Sequence, residues 1–244
     1  MREVEMNKGT YTDKEADVMA ALVEGAMYTD EERKEYARII HEFNWLYYKL
    51  FNQTWCSTSW KGINVLKPPT DLWVYQEIIS MQKPDLIIET GTMRGGSAVY
   101  MSDVLKLVNP RGHVISIDID RTKINDEAFK SDVSFITGSS TEKSVYEVVR
   151  RHIDIYQCHK VMVILDSDHS YEHVTNELNI YSKLVTKGQA LIVEDTNNWP
   201  PAKQAVDDWL VNHPEFTTDI GCEKYMLTFN RGGYLEKIGG ENEV

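Results

Sequence analysis

The stretch Leu86-Ile87-Ile88-Glu89-Thr90-Gly91-Thr92-Met93-Arg94-Gly95-Gly96-Ser97 decides the fold. Three apolar residues read as a buried strand that ends in an acid, and a glycine turn follows. From Ser97 a helix is expected, with Ala98, Val99, Met101, Val104, Leu105 and Val108 at its apolar positions. Strand, glycine turn and helix in that order suit a nucleotide-like ligand. The glycines let backbone come close, the helix N-terminus offers free N–H groups, and an acid accepts ribose hydroxyls.

Downstream, the alternation repeats. Residues 112–118 and 133–137 read as strands, the first ending in Asp118 and the second running into Gly138-Ser139-Ser140. A helix is expected over 141–156, a fully apolar strand over 161–166, a helix over 170–185 and a strand over 189–195. Pro200 or Pro201 opens a helix to about Asn212, and residues 216–220 and 224–230 read as two last strands in a hairpin. The polar residues from Arg231 read as a loose tail. Continuous apolar strands alternating with helices mean a Rossmann-like α/β fold, a doubly wound and mostly parallel sheet covered on both faces.

Upstream, Thr12 with Glu15 and Thr29 with Glu32 have the spacing of helix capping boxes. Val18, Met19, Leu22 and Val23 follow the first. Tyr36, Ile39, Ile40, Phe43, Leu46, Tyr47 and Leu50 follow the second as a long stripe. Such a stripe packs on its own chain or forms a subunit interface, here a homo-oligomer through the N-terminal helices. Trp55, Trp60, Trp73 and Tyr75 cluster around Lys67-Pro68-Pro69 as core or as a substrate wall, and a helix resumes at Thr70 or Asp71. The organisation is an N-terminal helical extension (1–55), a core (56–232) and a flexible tail (233–244).

A formal charge of −12 argues against a nucleic-acid partner, which needs Lys and Arg to neutralise phosphates. No run reaches the roughly 20 apolar residues of a membrane span, and Met1 to Asp17 lacks the apolar core of a signal peptide. Three widely spaced cysteines form no C-x-x-C pair. A cytoplasmic protein is expected.

In a sheet of this kind ligands bind beyond the carboxyl ends of the strands. Glu89, Asp118, Asp166, Glu194 and Asp195 all stand where apolar strands stop. Asp166, Glu194 and Asp195 are expected in one crevice. Carboxylates about 4 Å apart repel by roughly 4 kcal/mol at an effective dielectric near 20, so protons or a cation must offset them. An all-oxygen set favours Mg²⁺ or another hard divalent ion, which lowers the pKa of a bound hydroxyl. His169, three residues past Asp166, suits a general base. His169 and His173 lack the H-E-x-x-H pattern of a zinc peptidase.

Glu89-Thr90-Gly91 resembles the first motif of S-adenosylmethionine-dependent methyltransferases rather than the G-x-G-x-x-G of dinucleotide enzymes. The resemblance implies that Glu89 contacts the methionine end or a nearby water network, that Gly91, Thr92, Gly95, Gly96 and Ser97 hold the donor with it, that Asp118 binds the ribose, and that Gly138, Ser139 and Ser140 flank the adenine, with Asp166 alongside. Residues 66–77, Gly95-Gly96-Ser97, Leu165-Asp166-Ser167-Asp168-His169-Ser170 and Val193-Glu194-Asp195-Thr196 resemble the cephalosporin hydroxylase / rhamnosyl O-methyltransferase family over about 60–230. That implies a class I methyltransferase in which Asp166, Glu194 and Asp195 bind Mg²⁺ and His169 and Asp166 are catalytic. The acceptor is then a hydroxyl of a sugar, such as a rhamnose-type deoxysugar, or of a glycosylated natural product. The loop Thr196–Pro201 is shorter than in many family members, which leaves the acceptor open. An oxidoreductase or hydroxylase on the same fold, and a non-catalytic nucleotide-binding subunit, are the competing readings.

Overall fold

The computed structural model describes residues 29–49 and 54–240. The helix expected after Thr12, and Leu50, lie outside the described residues. Strand β3 (Leu86–Thr90) is buried at every position, as a strand covered on both faces must be. It follows a short hairpin of β1 (Ser59–Trp60) and β2 (Ile63–Asn64). β3 pairs in parallel with β4 (His113–Asp118) on one side and β6 (Val161–Leu165) on the other. Beyond β4 lies β5 (Val133–Thr137), and beyond β6 lies β7 (Ala190–Val193), both parallel. The chain leaves β3 in one direction and returns to β6 in the other. The crevice therefore opens between the carboxyl ends of β3 and β6.

Alternate strand residues face opposite layers. Leu86 and Ile88 pack with α4 (Lys143–Tyr156), α5 (Tyr171–Tyr181) and α6 (Pro200–Leu210). Ile87 packs with α2 (Pro69–Gln82) and α3 (Gly96–Val108). Pro69 takes the first turn of α2, where its missing N–H costs nothing and its fixed φ suits the helix. The helix thus starts a residue or two earlier than the sequence suggests. α5 stops at Tyr181, short of the expected 185.

The N-terminal helix α1 (Asp30–Lys49) opens with the expected capping box. The Glu32 carboxylate accepts the Thr29 N–H at 2.7 Å, and Thr29 Oγ accepts the Glu32 N–H at 3.2 Å. Its stripe divides. Ala37 and Asn44 are buried, Tyr47 and Tyr48 meet Phe229, and Tyr36, Ile39 and Phe43 stay exposed.

The C-terminal end corrects the sequence reading. Residues 224–230 form no strand, and the expected tail contains one, β9 (Tyr234–Lys237). β9 runs antiparallel between β7 and β8 (Phe216–Thr218), giving the order β5-β4-β3-β6-β7-β9-β8. Only Tyr234 and Leu235 carry apolar bulk, too few to show a period, yet both are buried, and Lys237 reaches the Val185 carbonyl at 2.8 Å. β9 takes the place beside β7, and Met226, Thr228 and Phe229 bond instead to the side chains of Asn44 and Asp71. No helix among the described residues is long and apolar enough to cross a membrane.

Candidate active site

Gly91 ends β3 at φ +85°, and a Cβ there would lie 1.8 Å from the Asp166 carbonyl oxygen. Only glycine lets the ends of β3 and β6 run so close. Asp118 holds the turn that follows: one carboxylate oxygen accepts the N–H groups of Thr92 (3.0 Å) and Met93 (2.9 Å), the other that of Asp120 (2.9 Å). Gly95 closes the turn at φ +82° with its N–H on the Thr92 carbonyl, and faces Ala128 rather than the crevice. Gly96 lies under the β1–β2 hairpin, where a Cβ would meet the Asn64 carbonyl at 2.2 Å.

Glu89 departs from expectation. It is fully buried, and it accepts hydrogen bonds from Ser97 Oγ (2.5 Å) and Ser116 Oγ (2.6 Å). Burial pushes its carboxyl up to about 7, against the opposing pull of Lys67 and the two hydroxyls. Glu89 therefore braces the turn from beneath and does not line open space. Thr92 is bonded through its hydroxyl to Ser116 at 2.6 Å.

Two clefts open at this rim. The larger, about 510 Å³, is lined by Gly91, Asp118, Ser139, Ser140 and Asp166 among others. The smaller, about 220 Å³, is lined by Trp55, Thr92, Arg94, Ser97, Asp166 and Asp195 among others. They meet at Gly91, Met93, Asp166 and Ser167. Together they have the size of a small-molecule site. Leu66, Met93 and Asp195 all line the smaller cleft and all have positive φ (60°, 45° and 58°). Backbone strain of that kind gathers where surrounding structure fixes a functional geometry.

Asp166 and Asp195 line these clefts, and His169 stands against both, each of the three offering a ligand atom within 4.8 Å of the others. His169 Nε2 lies 3.2 Å from Asp195 Oδ2 and 3.9 Å from Asp166 Oδ1. Burial disfavours a charged ring, but the hydrogen bond to Asp195 and the charge of Asp166 hold the His169 pKa above its ordinary value. Burial also works against ionised Asp195, yet His169 outweighs it and keeps that carboxyl low. Asp166 is pushed up by burial, although Lys67 opposes this.

Glu194, expected in the same cluster, stands behind it. Its carboxylate takes the Lys67 ammonium at 2.7 Å and the Tyr75 hydroxyl, and burial pushes it up to about 7. Lys67 Nζ also reaches Asp166 Oδ2 at 2.5 Å, so one buried ammonium joins the two carboxylates. His173 is occupied elsewhere, with Ser167 at 3.0 Å and Ser140 at 3.2 Å, and forms no pair with His169.

Lys67 and Asn230 are site residues that the sequence did not assign. Asn230 is fully buried; its Oδ1 accepts the Asp195 N–H at 3.0 Å and its Nδ2 donates to Tyr75 OH at 3.2 Å. It thus holds Asp195 directly and Glu194 through Tyr75. Its loop is anchored on α1, where Asn44 Oδ1 accepts the Thr228 N–H at 3.0 Å and Asn44 Nδ2 donates to the Met226 carbonyl at 2.7 Å. The signal for Lys67 was its place before Pro68, which fixes an extended approach to α2. For Asn230 the sequence carries no local signal.

The strand order, with β9 reversed and a glycine turn after β3, is that of the class I methyltransferase fold. The family described as Rhamnosyl O-methyltransferase/CmcI matches residues 52–238, and the chain belongs to it. The rhamnosyl O-methyltransferase of Mycobacterium leprae (strain TN) is 34% identical over 230 residues, covering 89% of this chain and 96% of that protein. That of Mycobacterium tuberculosis (strain ATCC 25618 / H37Rv) is 37% identical over 160 residues, covering 65% of this chain and 64% of the relative. A solved CmcI structure with Mg and SAM superposes with a TM-score of 0.62 at 20% identity, over 75% of this chain and 78% of that one. A second, with SAH, gives 0.59 over 75% and 83%. At that identity they show the fold.

Proposed function

We propose that the chain is an S-adenosylmethionine- and Mg²⁺-dependent O-methyltransferase that methylates a hydroxyl of a rhamnose-type sugar or of a glycosylated natural product. The observation that carries this is the position of His169: an imidazole against Asp195 and Asp166, of which Asp195 lines the smaller cleft and Asp166 lines both.

The larger cleft suits the donor, with Asp118 at its ribose and Ser139 and Ser140 at its base. The donor set suits a hard dication. Asp166, Glu194 and Asp195 carry three negative charges against the one ammonium of Lys67. With His169 neutral, two charges remain to be matched. Asp166 and Asp195 would hold the ion, with Glu194 behind them. When bound it supplies Lewis-acid polarisation of the acceptor hydroxyl. The chain's own residues do the rest. His169 Nε2 faces Asp195 and Asp166; with those carboxylates turned to the ion and the ring proton on Nδ1, Nε2 would be free to accept the hydroxyl proton, and the two carboxylates would steady the imidazolium that results. The Gly91 turn and Asp166 fix the distance between donor and acceptor. The M. leprae and M. tuberculosis relatives, named rhamnosyl O-methyltransferases, support the choice of sugar. We also assign a cytoplasmic setting and self-association through the exposed Tyr36, Ile39 and Phe43 of α1.

Transfer of an isotope-labelled methyl group from S-adenosylmethionine to rhamnosides, with and without chelator, tests the reading. Asp166→Asn is expected to abolish transfer while S-adenosylhomocysteine still binds. Full turnover of that variant in chelator, or nicotinamide oxidation in place of methyl transfer, refutes it.

A further inference from the structure

We propose that Trp55 and Trp199 form a two-indole clamp for the acceptor, gripping the C–H face of a pyranose while one of its hydroxyls meets His169. The inference rests on the O-methyltransferase reading above and adds to it which residues select a sugar.

Trp199 is 46% exposed, and its ring lies 6.0 Å from the imidazole of His169, tilted by 31°. Its backbone N–H donates to the Asp195 carbonyl at 2.8 Å, which ties the residue to the backbone that carries a carboxylate of the site. Trp209, by comparison, is 5% exposed. The open part of the Trp199 ring stands beside the base and is free to take an apolar ligand face.

Trp55 lines the smaller cleft together with Asp166 and Asp195. Its ring is locked. Nε1 donates to the Tyr48 carbonyl at 3.1 Å, one face stacks on Tyr48 at 5.4 Å and 4°, and Phe229 meets it edge-on at 5.6 Å. A ring already held loses little entropy when a ligand covers it. Tyr48 also meets the Trp199 side chain, so one tyrosine on α1 supports both indoles. Arg94, Asp166 and Asp195 line the same cleft as Trp55, and Trp199 adjoins it through its backbone bond to Asp195 and its contact with His169.

Two apolar faces with a polar rim match a pyranose. Its C–H face lies on an electron-rich indole, and its hydroxyls point to carboxylates, an imidazole and a guanidinium. A flat phenol would need only one stacking face and brings a single acidic hydroxyl.

The test uses the full chain loaded with S-adenosylhomocysteine and Mg²⁺, with methyl α-L-rhamnopyranoside and catechol as probes in saturation-transfer NMR. The rhamnoside is expected to receive saturation on the protons of one ring face. Trp199→Ala and Trp55→Ala should each weaken it about five- to tenfold. Trp55→Phe, which keeps the stack on Tyr48, should stay within about threefold of wild type. Affinity for S-adenosylhomocysteine should be unchanged in all three. Wild-type rhamnoside binding in both alanine variants, preference for catechol, or no glycoside binding to the loaded wild type overturns the clamp. Failure of the wild type to bind S-adenosylhomocysteine overturns the methyltransferase reading itself, and the clamp falls with it.

Discussion

On the β3–β4 side of the rim, Glu89 and Asp118 are held by neutral donors: two serine hydroxyls in one case, backbone amides in the other. On the β6–β7 side, Asp166, Glu194 and Asp195 are held by an ammonium and an imidazole. All five acids end apolar strands of one sheet, yet the two sets behave differently. A carboxylate satisfied by fixed hydroxyls and amides is part of the scaffold. A carboxylate held by a cation can exchange that cation for another, or pass a proton through it. Chemistry is therefore expected on the second side, and shape on the first.

The largest effect should come from His169→Ala. Removing a general base costs on the order of 10² to 10⁴ in kcat. Binding of S-adenosylhomocysteine, set by the other side of the rim, should hold within about threefold, since a positioned proton acceptor adds little to ground-state binding. Steady-state kinetics beside calorimetry checks this. Equal losses in both would erase the contrast between the two sides.

Lys67→Met attacks the same side through stability. It leaves Asp166 and Glu194 without their shared ammonium, and stripping one partner from a buried charge pair costs about 3–5 kcal/mol. For a chain of this size that lowers Tm by roughly 10 °C. Adding Glu194→Gln should restore part of it, because one of the stranded charges is gone. If Lys67→Met melts like the wild type, cations do not hold this half of the rim.

These two residues also show where the sequence was legible and where it was not. The run Leu86–Ile88, the acid after it and Gly91 are contiguous, so periodicity and turn chemistry revealed strand, turn and cleft together. Thr29 with Glu32 is equally local, whereas α2 starts a residue or two ahead of the sequence expectation, because Pro69 is its first helical residue and not a break. Glu89 and Glu194 look alike in sequence, each an acid after an apolar run, and their different fates depend on partners from elsewhere. Lys67 meets Asp166 across 99 residues, and Asn230 meets Tyr75 across 155. No spacing rule reaches that far. β9 was missed for another reason: a four-residue strand with two apolar side chains has no period to read.

Asn230→Ala sharpens the comparison at smaller scale. Asn230 touches neither His169 nor the Asp195 carboxylate, but it holds the Asp195 backbone and, through Tyr75, Glu194. Losing a support behind metal ligands typically costs 10–100-fold in metal affinity or activity, so a drop of about that size is expected in Mg²⁺ titrations. Asn230→Asp keeps an acceptor for the Asp195 N–H and should recover part of the loss. A purely structural role would lower Tm and leave Mg²⁺ affinity unchanged.

The smallest effect on catalysis and ligand binding is expected on the scaffold side, from Glu89→Gln, whose effect on stability depends on pH. Burial raises the folded carboxyl from 4.5 to about 7. Between those values the folded state binds more protons than the unfolded one, so wild-type stability falls as pH rises through the window. Glutamine resembles the protonated acid and does not titrate. The variant should match or trail the wild type near pH 5, then gain on it as pH rises, by up to about 3 kcal/mol across the window at about 1.4 kcal/mol per unit. Asp71 and Glu194, also pushed to about 7, keep their share of the slope, so the curve should flatten without becoming level. Denaturant unfolding at several pH values reads this directly. Donor affinity should move little, because Glu89 lies beneath the turn. A large loss of S-adenosylhomocysteine binding in this variant would make Glu89 a ligand-binding residue beside Asp118, and not only a brace beneath the turn.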